Sequence, residues 1–396
     1  MRVVHLASQH PADDVRILRK ECRSLAAAGY EVHLVAPEAA DGTWAGVRLH
    51  GFPLPKGGYR PLQILRRLWR AWRVTRGLRP RLCHFHEPVL LPVGLLSKLQ
   101  GARLVYDVHE DHLAALADGP YRERWKQLGL RACEALARRV CDGFVAATPA
   151  IARSLPPERT VVVRNYALPD EFVPARSAAD AEPVAVYVGV ITRGRALREM
   201  VEAAGRLRDP SARLRLIGSF APAELEQEAR VLPGWSRVDY LGPLGRPLVA
   251  EHLAAARVGL VLFHPQPNHV EALPNKLFEY MAAGLPVVAS DFPSWRRLLE
   301  PIGCARFVDP LDPAQIAAAI EELLADAERA REMGRRGAAA VRERFNWQAE
   351  EPELLALYAR LGLTPARDQA SSTPPGADTS QRSTEDAPPA ARLGSR

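Results

Sequence analysis

Glu271 and Glu279 flank a lysine, Lys276, in the run Glu271-Ala-Leu-Pro-Asn-Lys-Leu-Phe-Glu279-Tyr-Met-Ala-Ala-Gly284-Leu-Pro286-Val-Val-Ala-Ser290. Pro274 and Asn275 suit the start of a helix. Gly284 suits its end, and Pro286–Ser290 reads as the next buried strand. The N-terminus of such a helix offers unpaired backbone N–H groups and the positive end of a dipole, which suit a diphosphate. A cation in the first turn opposes that dipole. Lys276 there, the only lysine after residue 126, points to a bound anion. One of the two carboxylates can face a sugar while the other faces a ribose.

Two histidine-rich spots each follow a predicted strand: His84-Phe85-His86-Glu87 and His109-Glu110-Asp111-His112. Their residue types could hold a metal. The expectation is instead a polar strand-end loop with one catalytic or ligand-binding histidine, and no metal. Several chemistries lack their motif. The first strand is followed by Ser8-Gln9-His10-Pro11-Ala12-Asp13-Asp14, with no glycine, so the dinucleotide fingerprint is missing. There is no Walker sequence, no Gly-x-Ser-x-Gly elbow and no Asp-x-Asp triplet.

The stretch Leu62–Leu78 is basic and amphipathic. On a helical wheel Ile64, Leu65, Leu68, Trp69, Ala71 and Trp72 share one half, and Arg66, Arg67, Arg70 and Arg73 the other. This predicts a helix packed on a sheet through its apolar half, with a solvated basic face. The second reading is a surface that docks on an anionic membrane. No nucleic-acid-reading module accompanies the charge.

These groups need a frame, and the chain supplies one twice. Strands are predicted at 3–7, 31–35, 47–52, 82–85, 104–106, 143–146 and 160–163, with helices at 14–28, 61–78 and 122–140 between them. After a break at Pro169, Pro174 and Pro183, with a small, acidic run over 176–182, the alternation restarts. Strands follow at 184–188, 214–217, 238–241, 258–263, 287–290 and 305–308. Helices follow at 196–208, 222–232, 247–255, 275–283, 314–324, 329–344 and 352–361. Strand–helix alternation of this kind makes a parallel sheet covered on both faces. The fold class is therefore α/β, two doubly wound Rossmann-like domains, with ligands beyond the carboxyl ends of the strands and a cleft between the domains as the expected site.

At 396 residues the chain is long enough for two domains, and its 47% hydrophobic and 25% charged residues are those of a globular protein. The net charge is +7 and the basic side is almost all arginine. Cys22, Cys83, Cys133, Cys141 and Cys304 are odd in number and scattered, which fits a reducing compartment. The first residues read as a strand rather than a leader, and no apolar run is long enough to span a membrane. The expected location is cytoplasmic, with a peripheral place on the inner face of the cell membrane as what the second reading of Leu62–Leu78 would add. From Pro365 on, no aromatic residue occurs and Pro, Ser, Thr and Ala dominate, so a disordered tail over 365–396 is predicted.

The Glu271–Ser290 block resembles the retaining family 4 glycosyltransferases of GT-B fold. Their hallmark is two glutamates with seven residues between them, then Met-Ala-x-Gly-x-Pro-Val-Val-Ala-Ser. Glu271, Glu279, Met281, Ala282, Gly284, Pro286, Val287, Val288, Ala289 and Ser290 meet it. The likeness runs from residue 1 to about 361. Asn165-Tyr166 through Phe172 and Pro174 resembles the family's inter-domain segment. Asp309–Leu324 and Phe345-Asn346-Trp347 resemble its C-terminal helices. The resemblance implies an acceptor-side domain over 1–170, a linker over 171–183 and a nucleotide-sugar domain over 184–345. It also implies a helix over 346–363 that crosses back to the first domain.

It further implies roles. Glu271 lies by the donor sugar, and Glu279 binds the ribose. Arg195 falls on the family's diphosphate-binding lysine, and His109 on a histidine near the reacting carbon. Arg193, Lys276, Asn275, Leu273 and Gly189 complete the expected donor site. The implied activity is retaining, metal-independent transfer of a sugar from a nucleotide sugar to a hydroxyl of a glycan or lipid-linked acceptor, with no cofactor and no nucleic acid. Polysaccharide, glycolipid or cell-envelope glycan synthesis is the implied setting. The pattern departs in three places: Val190 stands where an arginine is usual, Glu271-Ala-Leu-Pro replaces Glu-Gly-Phe-Gly, and the first loop has no glycine. A nucleotide-sugar epimerase of the same fold and a non-catalytic glycosyltransferase-like subunit stay open as alternatives.

Overall fold

The computed structural model describes residues 1–54, 60–109, 124–172 and 182–365. The expected linker run 176–182, apart from Glu182, and the expected tail beyond Pro365 lie outside the described residues. So do Glu110, Asp111 and His112. The chain forms two compact units: residues 1–164 with the segment from Glu351 on, and residues 165–350.

Unit 1 is built on β1 (Arg2–Leu6), β2 (Glu31–Pro37), β3 (Gly42–Trp44), β4 (Val47–Phe52), β5 (Leu82–Phe85), β6 (Arg103–Val108), β7 (Gly143–Ala146) and β8 (Thr160–Val162). Their order is β3-β4-β2-β1-β5-β6-β7-β8, parallel throughout except for the short β3. A wide π-helical run Val15–Cys22 leads into α1 (Arg23–Ala27). Then come α2 (Arg60–Leu78), α3 (Leu91–Leu99), α4 (Arg124–Val140) and α5 (Pro149–Ala152). Leu6, Phe85, Leu104, Tyr106 and Phe144 form the core under α2, α3 and α4, with Phe85 stacked on Tyr106 at 4.6 Å. The opposite face of the central strands carries His5, His84, His86 and Asp107, all buried.

Unit 2 is a six-stranded parallel sheet of β9 (Val184–Val188), β10 (Arg213–Ile217), β11 (Val238–Gly242), β12 (Val258–Val261), β13 (Val287–Ser290) and β14 (Ala305–Val308). The order is β11-β10-β9-β12-β13-β14, so the winding reverses between β9 and β12. Its helices are α6 (Leu197–Arg206), α7 (Leu225–Arg230), α8 (Arg246–Ala255), α9 (Pro267–Val270), α10 (Asn275–Ala282), α11 (Pro293–Leu299), α12 (Pro313–Ala325) and α13 (Ala327–Glu343). Apolar cores lie on both sheet faces, as a fully parallel sheet requires. The last helix, α14 (Trp347–Arg360), begins in unit 2 and belongs to unit 1 from Glu351 on. Tyr166 and Ala167, expected in the first domain, and Phe172, expected in the linker, are buried in the core of unit 2, which begins at Asn165.

The wheel for α2 needs correction. Leu68, Ala71, Trp72 and Thr75 face the fold, as expected of a packing helix. Ile64, Leu65 and Trp69, placed on that face by the sequence, are 44%, 62% and 58% exposed. The apolar residues of α2 are thus split between two faces. The arginines are divided as well: Arg67 donates to Ser8 O (3.1 Å) and Arg70 to Pro53 O (2.6 Å).

Candidate active site

The crevice where an open parallel sheet reverses its winding lies beyond the carboxyl ends of the two strands involved. In unit 2 these are β9 and β12, and the residues singled out in the sequence gather there. β9 is followed by Gly189, where φ is +123°. A Cβ on Gly189 would lie 3.2 Å from Lys276 Nζ and 3.9 Å from Arg195 Nη1. Two cations therefore flank one bare stretch of backbone.

Arg195 is fixed by donating to Val190 O (2.8 Å) and by lying over the Phe263 ring (5.6 Å). Lys276 comes from the first turn of α10 and puts Nζ 3.6 Å from the centroid of the Tyr187 ring. That ammonium is buried and has no hydrogen-bond acceptor. Burial, with Arg195 beside it, pushes its pKa well below the usual lysine range. An ammonium held without a partner beside a second cation leaves room in its charge balance for an anion.

Glu279 follows one turn later on α10 and is buried. Arg246 at the start of α8 holds its carboxylate at 3.1 Å, while the Arg246 Nε–H donates to Glu171 (2.8 Å). Asn275 is the first residue of α10, behind Pro274, and caps nothing with its side chain, contrary to the expectation. Leu277 N donates to Pro274 O (3.0 Å), which leaves the N–H groups of Asn275 and Lys276 for a ligand. Leu273 packs half-buried against the core. Glu271 is exposed at the end of α9, in a loop anchored on both sides. Ser294 Oγ donates to Val270 O, and Trp295 Nε1 donates to Ala272 O (2.7 Å). Arg193 does not join the group: it turns outward to Glu228 (2.5 Å).

The rest of the motif is architectural. Tyr280 lies against Gly259, and its hydroxyl accepts from Val188 N (2.7 Å). Gly334 of α13 passes so close to Gly284 O that a Cβ would lie 1.8 Å from it. Ser290 Oγ ties the backbone of Phe263 by bonds of 2.8 and 2.9 Å. These contacts hold α10 and the end of β12 in place.

His109 belongs to unit 1, just after β6. Its Nε2 is 2.8 Å from Asp107 Oδ2 and 3.1 Å from His86 Nδ1. Asp107 accepts both Nε–H and Nη2–H of Arg16 (3.0 and 2.9 Å). The π-helical turn places Glu21, five residues on, 3.0 Å from the same guanidinium. Burial pushes the Asp107 carboxyl up, yet Arg16, His109 and His86 together hold it well below the carboxylate range. Burial and the charge of Asp107 push Glu21 well above that range. Of the two carboxyls, Glu21 is the one that keeps its proton to the higher pH. The chain continues inward: His86 Nε2 lies 3.0 Å from His5 Nδ1, and Tyr358 Oη lies 2.9 Å from His84 Nδ1.

Ligand atoms of Glu21, His84, His86 and Asp107 come within 4.8 Å of one another, a set that by type could hold a metal. Arg16 already supplies the positive charge between the two carboxylates. Nearby, the Glu87 carboxylate accepts the N–H groups of Ser8 (3.0 Å), Gln9 (2.9 Å) and His10 (3.3 Å). The glycine-free first loop is thus wound around an internal anion.

Burial is the largest cause lowering the pKa of His5, His84 and His86, and it disfavours the charged form of each in the fold. A histidine whose folded value lies below the unfolded 6.5 stabilises fully above 6.5. That stability is lost as pH falls toward the folded value. The hydrogen bond to Asp14 raises His10, whose contribution is present below 6.5 and is lost as pH rises through its folded value. Burial lowers His33 and His50 as well, while the raised Glu21 opposes them by keeping in the fold a proton that the unfolded chain releases. Five lowered histidines outweigh His10 and Glu21, so thermal melts stepped from about pH 8 to about pH 5 should show stability falling below pH 6.5, by about 1.4 kcal/mol per pH unit for each net proton taken up on unfolding. Replacing His84 by Gln should flatten that slope.

Residues 182–326 match the family model described as Glycosyl transferases group 1, and residues 15–166 match that of a Glycosyl transferase 4-like domain. A D-inositol 3-phosphate glycosyltransferase of Geodermatophilus obscurus is 34% identical over 243 residues, 55% of this chain and 52% of that protein. The match thus spans about half the length of that relative. An MMP alpha-(1->4)-mannosyltransferase of Mycolicibacterium hassiacum is 25% identical over 74% of each chain. Among solved structures, sucrose-phosphate synthase from Thermosynechococcus elongatus superposes with TM-score 0.74 at 20% identity, covering 91% of this chain and 99% of that one. HepE of Anabaena in complex with UDP-glucose does so at 0.69 and 17%, covering 91% and 100%. At these identities the structural likeness speaks for the fold.

Proposed function

Because the chain belongs to the group 1 glycosyltransferases, we propose that it is a retaining transferase that moves a sugar from a nucleotide sugar to an acceptor hydroxyl. The observation that carries this is Lys276. Its ammonium is buried without an acceptor beside Arg195 and the bare backbone of Gly189, one turn from the buried Glu279. A nucleoside diphosphate has the charge to satisfy the first group and a ribose to meet the second.

In this reading the leaving diphosphate is held by Arg195, Lys276 and the N–H groups of Asn275 and Lys276. Preorganised charge of this kind is the largest single contribution in most enzymes. It does here what a divalent ion does in enzymes with an Asp-x-Asp triplet. Arg246 fixes Glu279 for the ribose hydroxyls, and the anchored loop presents Glu271 to the donor sugar. The departing phosphate takes the proton of the attacking hydroxyl, which enters on the side the diphosphate leaves. His109, oriented by Asp107, is assigned to the reacting carbon by the family resemblance. A hydroxyl on a glycan or lipid-linked glycan is the proposed acceptor.

The test is calorimetric binding of UDP, GDP, ADP and TDP to the full chain, with and without magnesium. One nucleotide should bind without metal, and Glu279→Ala should weaken it about 10–100-fold, the loss of charge-assisted hydrogen bonds. If no nucleotide binds under either condition, the reading fails and the non-catalytic subunit takes its place.

A further inference from the structure

In unit 1, the large hydrophobic side chains that stand exposed among the described residues all lie on three helices: α2, α3 and α4. α3 packs against both of its neighbours, so the three form one layer. On α2 the outward stripe starts with Leu62, Leu65 and Trp69 and ends with Arg73 and Arg76, at the i, i+3, i+4 spacing of one helix face. On α3 it is Pro92, Leu96 and Leu99, the last 84% exposed. On α4 it is Leu128, Arg131, Leu136 and Arg139.

The charge on this layer has one sign. Between Leu62 and Val140, the described side chains of these helices include a single acid, Glu134, which is paired with Arg138 at 3.2 Å. Arg66, Arg73, Arg76, Arg131 and Arg139 stand exposed. Arg73 lies over the Trp69 ring at 5.6 Å. Packing explains Leu68, Ala71 and Trp72; it does not explain a second apolar stripe pointing outward on each helix.

We propose that α2, α3 and α4 form a single docking face for an anionic lipid surface. The Leu and Trp side chains enter the headgroup boundary, and the arginines reach lipid phosphates from the rim while their aliphatic stems stay apolar. Complementary charge selects this occupant, because a face with apolar ridges and cations but no unpaired acid has nothing to offer a partner surface of mixed charge. No described helix is long and apolar enough to cross a membrane, so the contact is peripheral. The inference stands apart from the transferase reading, since none of α2, α3 and α4 carries a residue assigned to the donor above.

The test is cosedimentation of the full chain with vesicles of phosphatidylcholine alone, and with equal parts of phosphatidylglycerol. Binding should occur only with the anionic vesicles and be released by raising salt toward 1 M, where charge screening shortens from about 10 Å to about 3 Å. Two variants should each lower the bound fraction at least about tenfold: Arg66→Gln/Arg73→Gln/Arg76→Gln on α2, and Leu99→Ser/Leu136→Ser on the two neighbouring helices. All five positions are exposed, so melting temperature and nucleotide binding should not change. Equal binding to neutral vesicles, or unchanged binding by both variants, overturns the proposal. So does light scattering that shows Leu99→Ser/Leu136→Ser dissolving a self-associated form while vesicle binding persists. Loss in the α2 variant alone would refute the three-helix face.

Discussion

Lys276→Met is expected to make the protein more stable and much less active. The methionine keeps the length and apolar body of the side chain over Tyr187 and removes a buried ammonium that has no acceptor. Leaving such a group unsatisfied costs about 1–3 kcal/mol. Its removal should raise Tm by about 2–12 °C for a unit of this size. Transfer should fall about 10²–10³-fold, the usual loss when one preorganised charge is withdrawn from a developing anion. The two effects in opposite directions are diagnostic: a lysine kept for packing would lose little activity. Differential scanning fluorimetry and a transfer assay on one preparation decide it. A variant that melts lower and turns over normally would remove Lys276 from the diphosphate site.

The second large effect is expected in unit 1. Arg16→Ala withdraws the guanidinium that pairs with Asp107 and lies 3.0 Å from Glu21 in a fully buried setting. An ionised carboxylate left alone in such a place costs about 3–5 kcal/mol, on the order of 10 °C in Tm. Glu21→Gln should be nearly silent by the same measurement, because a protonated glutamic acid and a glutamine have the same shape and the same charge. If the two substitutions cost the same, Glu21 carries a charge in the fold and Arg16 serves both carboxylates. His109 depends on this arrangement for its orientation, so Arg16→Lys, which keeps charge but not the fork, should lower turnover with little change in nucleotide affinity.

Much of the frame was legible from strand–helix alternation, because buried parallel strands are written as short β-branched runs. What escaped has local causes. α3 was hidden by Pro88, Pro92 and Gly94, which break the helical pattern on paper although Gly94 is needed to let Leu104 approach: a Cβ there would lie 2.7 Å from it. β3 is three residues long and antiparallel, too short to show a period. The wheel of α2 misled because 100° spacing reports a face only when apolar residues occupy one.

The site was readable in part. The twenty-residue block could be found because its residues are contiguous. Its supports could not: Arg246 reaches Glu279 from 33 positions away and is itself held by the still more distant Glu171, and Trp295 holds the Glu271 loop from beyond β13. The histidines of β5 read as loop polar groups because nothing nearby in sequence announces Arg16, Glu21 or Tyr358, the groups that let them be buried. Arg193 was placed by reach alone, and the outward pull of Glu228 is invisible without the fold.

The clasp between the last helix and the first sheet sets an order on how the chain is made. Tyr358 reaches His84 across 274 positions, the Tyr30 hydroxyl donates to Leu363 O, and Leu357 and Leu361 pack over Gly143. Unit 2 is one continuous segment, residues 165–350, and has all its parts once it has emerged from the ribosome. Unit 1 has its sheet first yet keeps a face of histidines and bare strand exposed until residue 363 arrives. At about 5–20 residues per second that interval lasts about 10–40 s. The unit that comes first along this chain is the one that finishes last, and loss of residues 351–365 would harm it rather than the unit they follow.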